Sequence, residues 1–427
     1  MKILIWGELK LGGPYDVFRR LDYKNIFNEL IDNCKANMLN IGNKVWIQGL
    51  ISELTTEENE LYFYDPQEDW DVINNKYDKI IYSAANLFCK SYINVIDKIT
   101  EIFKNSKIPV YVISVGTQAV SYDMLDQVVE ETKSSVYKFM ECIYSTGGEI
   151  ACRGYFTKEY LDKIARNTAE VVGCPSLYQN GGNLFINKSF KYNRVLFNGN
   201  VPFSDGICKK NPGSVYIDQD RYLRYKYDLS EYDEEQYVRE IISTVGYKNT
   251  RLFLDGRIEV FYDIPEWRNY ILKEGFDFSV GSRIHGNIVS LLSGIPVAIF
   301  PVDSRVREMA EFYHIPMVKS VNDYYDINKL YEYIEYDDFN KNYPIIYDNY
   351  QNFLKKCGLI KEINEDNIFW GRDMPLNNDL VLNQRIKLNN QVKNACLIEK
   401  MSYRICSKYK KKVMSNCFKD LVFEEKY

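Results

Sequence analysis

Histidine is scarce in this chain, and several motifs that mark common enzyme classes are missing. Only two histidines occur in 427 residues, and no H-E-x-x-H pair is present, which argues against a catalytic zinc helix. The ten cysteines include no C-x-x-C pair, so we expect no metal site. Walker-type and G-x-G-x-x-G loops are also missing, and we therefore predict no cofactor, nucleoside triphosphate or dinucleotide.

Long apolar runs and a strong net charge are missing as well. No stretch of about 18 apolar residues is present, so we expect no membrane span, and the apolar start at 3–6 is too short for a signal peptide. The net charge of −5 provides no positive field for nucleic acid. The scattered cysteines suit reduced, buried thiols, which predicts a cytoplasmic protein.

Short apolar strands alternate with helical segments along most of the chain. The first series predicts a helix at 45–50 with Asn43 near its N-cap, and strands at 3–6, 79–83, 109–116, 149–153 and 169–172. The second series predicts a helix at 234–245 and strands at 194–198, 215–218, 251–255, 278–280 and 295–300. This alternation is typical of doubly wound parallel sheets.

Two such series of similar size predict an α/β protein with two Rossmann-like domains that face each other across a cleft, the arrangement called GT-B. A flexible polar break at 179–183 places the boundary, so the predicted domains are 1–186 and 187–345. A helical C-terminal extension at 346–427 is partly basic, with lysines from Lys400 onward. This tail either lies on the inner face of an anionic membrane or packs as a solvated helix.

One turn of the second series carries the chemistry of an anion site. The run Gly-Ser-Arg-Ile-His-Gly at 281–286 lies between an apolar strand and an apolar helix. Ligands of open α/β sheets bind at such strand ends, and a helix N-terminus with an arginine favours an anion. We therefore predict that Gly281, Ser282, Arg283 and Gly286 bind substrate and that His285 is catalytic, although a lone histidine in a turn also often has only a structural role.

Two further turns present arginines after strands. Arg153 is the last residue of the predicted strand at 149–153, and Arg305 belongs to the run Asp303-Ser304-Arg305. Each arginine alone would equally suit a surface salt bridge, but three of them with one histidine suit a small, multiply charged anion. Asp303 either orients Arg305, assists as a base, or is an ordinary turn residue.

Several of these motifs together resemble the polysaccharide pyruvyl transferase family. They are Arg-Gly-x-x-Thr at 153–157, Gly-Cys-Pro-Ser at 173–176, the 281–286 run, Ser-Gly-Ile-Pro-Val at 293–297 and Asp-Ser-Arg at 303–305. The resemblance covers about residues 1–320. It implies a GT-B-like fold and the transfer of the enolpyruvyl group of phosphoenolpyruvate to two hydroxyls of a sugar, giving a cyclic ketal and phosphate.

The resemblance also implies residue roles and partners. Arg153 and Arg305 would be catalytic and, together with Arg283, would clamp the phosphate and carboxylate. His285 would act as general acid on the methylene carbon, and Asp303 would contribute to substrate binding. The acceptor would be a glycan or lipid-linked sugar of a bacterial surface polysaccharide such as a capsule, bound partly by Asn43. The family's early Asn-x-Gly-Asn turn comes here after an insertion of about 30 residues, at 40–43, which leaves the acceptor open.

Two other functions remain open from the residues. One is a GT-B glycosyltransferase with a nucleotide-sugar donor, in which Glu308 or Glu311 would bind the ribose. The other is an inactive scaffold of a glycan-assembly complex. The oligomeric state is not predicted.

Overall fold

The computed structural model describes residues 1–6, 13–14, 41–65, 67–165, 169–199, 210–219, 222, 241–261, 264–319 and 326–361. The basic tail from Lys400 onward and most of the predicted helix at 234–245 lie outside these residues. The chain divides into two compact units, one made of Met1–Asp220 and Phe261–Asp373, the other of Arg221–Val260 and Met374–Tyr427.

A seven-stranded sheet forms from the N-terminal half of the first unit. Its strands are β1 (Lys2–Trp6), β2 (Gly13–Pro14), β3 (Glu60–Phe63), β4 (Lys79–Ser83), β5 (Val110–Val115), β6 (Ile150–Cys152) and β7 (Ala169–Val171). The order across the sheet is β2-β3-β1-β4-β5-β6-β7, and only β2 runs antiparallel to its neighbour. All six residues of β5 are buried, as expected for a central strand covered by helices on both faces.

Five α-helices accompany this sheet within the described residues. They are α1 (Ile41–Leu54), α2 (Trp70–Lys76), α3 (Ile93–Phe103), α4 (Leu125–Ser145) and α5 (Tyr155–Ile164). Short 3-10 segments cover Lys90–Tyr92, Tyr122–Met124 and Pro175–Asn183.

The strands of the second series are β8 (Val195–Phe197), β9 (Val215–Asp218), β10 (Ile258–Val260), β11 (Phe278–Gly281) and β12 (Val297–Ile299). In the first unit, β9, β8, β11 and β12 pair in that order and all in parallel. The helices are α6 (Tyr247–Leu254), α7 (Ile264–Lys273), α8 (Ile284–Leu292), α9 (Ser304–Phe312), α10 (Ile327–Tyr333) and α11 (Asp337–Lys356). Strand β10 and helix α6 belong to the second unit.

The predicted α/β class with two largely parallel sheets is confirmed. The domain boundaries and the GT-B arrangement stay predictions. Among the helices of the described ranges, none has the length and apolar character needed to cross a membrane.

Three local predictions are wrong. Residues 251–255 are not a strand, because Arg251 to Leu254 belong to α6 and the Asp255 amide donates to the Arg251 carbonyl at 2.9 Å. Asn43 is not an N-cap, since α1 already begins at Ile41. The stretch at 179–183 is not a flexible break but the end of a 3-10 segment in which Gln179 is buried.

Candidate active site

Arg153 is a buried cation at the carboxyl end of β6. Its side chain is only 2% exposed. The Nε and Nη2 atoms donate to the Ser114 carbonyl at 3.2 and 3.0 Å, and Nη1 donates to Asn86 Oδ1 at 2.9 Å. Burial lowers the Arg153 pKa below its usual range. Because these partners are neutral, the guanidinium keeps a positive charge that an anionic ligand would neutralise.

The Ser114 carbonyl reaches Arg153 through an unusual backbone conformation. Ser114 has φ 64° although it lies within β5, and this region costs a residue with a Cβ atom about 1–2 kcal/mol. The pairing of β5 with β6 shifts register between Val112 and Val115. The strand therefore bulges at Ser114, and its carbonyl becomes the acceptor for two donors of Arg153.

The second cationic turn joins β11 to α8. Arg283 is the N-cap residue of α8 and is half-buried, whereas His285 lies in the first turn of the helix and is 9% exposed. Asn287 Nδ2 donates to the Gly281 and Arg283 carbonyls, both at 3.1 Å. The Asn198 carbonyl accepts from the Arg283 amide at 2.9 Å. The turn is thus fixed by two buried asparagines that the sequence analysis missed.

The glycines of this turn pack closely against protein. A Cβ atom on Gly281 would lie 1.8 Å from the Asn198 carbonyl oxygen, and one on Gly286 would lie 2.4 Å from Gln219 Nε2. Ser282 is buried, at 3% exposure. The tight packing explains why the positions 281 and 286 require glycine, while their predicted direct contacts with substrate stay predictions.

Asp303 has two local roles at the start of α9. Its Oδ1 caps the helix by accepting from the Val306 amide at 3.0 Å. Its Oδ2 accepts from Arg305 Nε and Nη2 at 3.1 and 2.6 Å. Of the three roles considered for Asp303, the geometry matches two, an ordinary structural residue of the turn and the orientation of Arg305, whose side chain is 28% exposed.

Contacts between α9 and the turns after β5 and β6 bring the first and third cationic turns together. The Ser304 amide donates to the Ala119 carbonyl at 3.1 Å, and the Ala119 amide donates to Ser304 Oγ at 2.9 Å. Glu308 accepts from the Thr157 amide at 2.6 Å and from Thr157 Oγ1 at 3.0 Å. Burial raises the Glu308 pKa to about 7, although the Thr157 hydrogen bonds and the charge of Arg153 oppose this shift.

The charges of all three arginines act on one imidazole. The His285 pKa is lowered to about 3, first by burial and then by the positive charges of Arg153, Arg305 and Arg283. The structure therefore places the predicted histidine and all three predicted arginines in one neighbourhood. The His285 ring is neutral there at physiological pH, and a negatively charged ligand would reverse part of this shift.

Cys174 also belongs to this neighbourhood, although the sequence predicts no role for its side chain beyond that of a buried thiol. Its Sγ lies 3.9 Å from His285 Nε2 and accepts a hydrogen bond from Ser176 Oγ at 3.0 Å. The Tyr313 hydroxyl donates to the Cys174 carbonyl at 2.9 Å and accepts from its amide. The Gly-Cys-Pro-Ser motif at 173–176 was the sequence signal that could have pointed to Cys174, because it comes just after β7.

Asn43 lies in the first turn of α1, and this helix packs on the 3-10 segment Pro175–Asn183 and on α8. Its predicted role in binding the acceptor stays a prediction.

The two carboxylates considered for a nucleotide ribose have other partners. Glu308 is 2% exposed and bonds to Thr157. Glu311 accepts from the Tyr122 hydroxyl at 2.7 Å and from Arg307 Nε at 2.7 Å. Both side chains therefore serve contacts within the protein.

Comparison with known proteins identifies one family. The family model described as polysaccharide pyruvyl transferase matches residues 16–304. No curated protein matches the chain.

Several solved structures resemble this chain, but with low sequence identity and low TM-scores. An uncharacterised protein of Klebsiella pneumoniae is 11% identical with a TM-score of 0.35, covering 70% of this chain and 100% of that one. S. aureus MnaA with UDP is 9% identical with a TM-score of 0.42, over 86% and 99% of the chains. A UDP-N-acetylglucosamine 2-epimerase candidate of Listeria monocytogenes is 8% identical with a TM-score of 0.41, over 86% and 98%.

Proposed function

Because the chain belongs to the polysaccharide pyruvyl transferase family, whose members modify polysaccharides, we propose that it moves the enolpyruvyl group of phosphoenolpyruvate to a sugar of a bacterial surface glycan. The products are a cyclic pyruvate ketal and phosphate. The observation that supports this donor most directly is that the positive charges of three arginines act on His285.

The charges of the site fit a donor that carries both a carboxylate and a phosphate. Arg305 is 28% exposed and Arg283 is half-buried, and arginine is the residue that makes bidentate contacts with carboxylate and phosphate groups. Arg153 is buried and acts on the site through its positive charge. The leaving phosphate gains negative charge in the transition state, where fixed cations stabilise it most.

His285 supplies the proton in this proposal. The bound donor offsets the positive charges that lower the His285 pKa, so proton transfer becomes easier when the donor is present. Protonation of the methylene carbon leaves an oxocarbenium-like centre at C2. One sugar hydroxyl attacks C2, phosphate leaves, and a second hydroxyl closes the ketal. The acceptor is a glycan or a lipid-linked sugar, and Asn43 is the candidate residue for binding it.

Phosphate release tests the donor. Purified protein is incubated with phosphoenolpyruvate and a panel of methyl glycosides that differ in the position of neighbouring hydroxyls, and parallel samples receive UDP-sugars. We expect phosphate release and a ketal product with at least one glycoside, and no UDP release. UDP release without phosphate release would overturn the proposal in favour of a glycosyltransferase.

A matched pair of variants links the activity to the site. Arg283→Ala removes a guanidinium beside His285 and should lower the rate of phosphate release by at least about tenfold, the cost of a charged hydrogen bond. Arg307→Ala removes an exposed arginine that pairs with Glu311 and should leave the rate unchanged. Equal rates for both variants would count against the proposed site.

A further inference from the structure

Cys174 and His285 form a buried pair, and the reaction outlined above uses only the imidazole of this pair. The sulfur is inaccessible to solvent, and the imidazole is 9% exposed. Their atoms Sγ and Nε2 lie 3.9 Å apart, within reach of a weak thiol–imidazole hydrogen bond. The two residues are 111 positions apart in the sequence, so only the fold brings them together.

The position of the thiol is fixed by several independent contacts. The Tyr313 hydroxyl bonds to both the amide and the carbonyl of Cys174. Gly173 has φ 78°, and a Cβ atom there would lie 2.3 Å from Tyr313 Oη and 2.4 Å from Tyr178 Oη. Ser176 Oγ donates to the sulfur itself at 3.0 Å. These contacts hold Sγ toward His285 in one orientation.

The charges around the pair favour one direction of proton movement. Burial lowers the pKa of Arg153, whereas the nearby Cys174 and Glu308 raise it, so the sulfur lies close to that guanidinium. An imidazole that gains a second proton becomes a cation, which Arg153, Arg305 and Arg283 repel. A proton can therefore pass through the His285 ring more easily than it can stay on a doubly protonated, positively charged ring.

We propose that Cys174 and His285 form a proton relay in which the thiol replaces the proton that the imidazole gives to the donor. This relay rests on the proposed phosphoenolpyruvate donor. The Sγ–H and Nδ1–H bonds break while Nε2–H and C3–H bonds form. The electron pair of the C2–C3 double bond enters the new C3–H bond, which leaves C2 oxocarbenium-like and Cys174 as a thiolate. When the sugar hydroxyl attacks C2, Nδ1 takes its proton and Nε2 returns one to the sulfur.

Nitrogen NMR tests the pair without any substrate. The chain has two histidines, so one His314→Gln sample assigns the ring signals of His285. We expect Cys174→Ala to shift the Nε2 signal of His285 and to change its tautomer balance. Cys142→Ala is the matched control, because Cys142 is also buried but its sulfur bonds to the Thr100 carbonyl. Identical His285 signals in the wild type and Cys174→Ala would overturn the relay.

Kinetics test the proton transfer. With phosphoenolpyruvate and the methyl glycoside found active, Cys174→Ser should lower kcat by at least about 100-fold, the usual contribution of an acid–base group. Its Kd for phosphoenolpyruvate should stay within about threefold, and its melting temperature should match that of Cys142→Ala. A curved proton inventory in the wild type should become linear in Cys174→Ala, since one fewer proton moves.

The results of these experiments distinguish a failure of the proposed relay from a failure of the proposed phosphoenolpyruvate donor. Undiminished kcat in Cys174→Ser beside an active wild type would overturn the relay alone. An equal loss of kcat and binding would mark Cys174 as only structural, which also overturns it. No phosphate release by the wild type with any glycoside would overturn the donor, and with it the transfer to C3, even if the NMR coupling is present.

Discussion

Arg153 and Arg305 occupy matching turns after parallel strands, yet the protein holds them in opposite ways. Arg153 is 2% exposed and bonds to Ser114 and Asn86, which lie 39 and 67 positions away in the sequence. The Arg305 side chain is 28% exposed and bonds to Asp303, two positions away. One cation is fixed by the tertiary structure and the other by its own turn.

This difference in burial indicates different roles for the two arginines. Arg153 contributes more than Arg305 to lowering the His285 pKa, because a buried charge is poorly screened. Arg305 is open to solvent, where it can meet an incoming anion. We infer that Arg153 sets the electrostatics of the site and that Arg305 captures the donor.

The most damaging change should be Arg153→Lys. A lysine cannot supply the three donors that bind Ser114 and Asn86, so its charge would shift and buried acceptors would lose partners. We expect the rate of phosphate release to fall by about 100- to 1,000-fold, the cost of a misplaced transition-state donor. Arg307→Lys, on the exposed face of α9, is the control. A rate within tenfold of the wild type would show that Arg153 needs only its charge.

Glu308→Gln should change the pH dependence of stability. Burial raises the Glu308 pKa from 4.5 to about 7, so between these values the folded protein holds a proton that the unfolded chain releases. The stabilisation from this carboxyl is therefore complete below pH 4.5 and is lost as the pH rises through 7. At about 1.4 kcal/mol per pKa unit, we expect the unfolding free energy of the wild type to fall by roughly 3 kcal/mol as the pH rises from 4.5 to above 7. Glu308→Gln has no such carboxyl and should not show this fall.

Urea unfolding at pH 5, 7 and 8.5 measures this difference. Glu53→Gln is the control, because Glu53 is a second buried carboxyl whose pKa is raised to about 8 by burial. It should flatten the pH dependence as well but leave phosphate release unchanged, since Glu53 bonds to Gln351 and Tyr347. Parallel pH profiles for the wild type and Glu308→Gln would contradict the shift.

Arg305→Ala should weaken donor binding and leave the fold intact. The loss of one charged contact to the donor corresponds to about a 10- to 100-fold increase in KM for phosphoenolpyruvate. A partly exposed pair such as Arg305 with Asp303 contributes at most about 1 kcal/mol to stability, so the melting temperature should barely change. A large drop in melting temperature would place Arg305 with Arg153 as a residue fixed by tertiary contacts.

Ser114→Gly should have the smallest effect. Glycine adopts φ 64° without the steric cost that serine bears there, and the carbonyl that holds Arg153 remains. Greater freedom of the unfolded chain opposes this gain, so we expect the unfolding free energy to rise by no more than about 1 kcal/mol, with phosphate release unchanged. A clear loss of stability in urea would show that the Ser114 conformation is not strained.

Much of the site was readable from the sequence because its signals are local. The 281–286 run, the Arg-Gly-x-x-Thr turn and the Asp-Ser-Arg turn each follow a strand, and the strands were recognisable from continuous apolar stretches. The strand predicted at 251–255 was wrong because a short apolar run fits a buried helix equally well. Asn287 was missed and the contact of Glu308 with Thr157 was not predicted, since nothing within a few residues of either side chain shows what it contacts.

The sequence by itself determined most of the strands and showed that the three arginines follow them, because these features depend on neighbours within one or two turns of chain. Only the tertiary structure decided that Arg153 is buried against Ser114, that Glu308 meets Thr157 from 151 positions away, and that Cys174 faces His285. The reason is physical: burial and charge depend on distances through space, and residues far apart in the chain come close only when the sheets and helices pack.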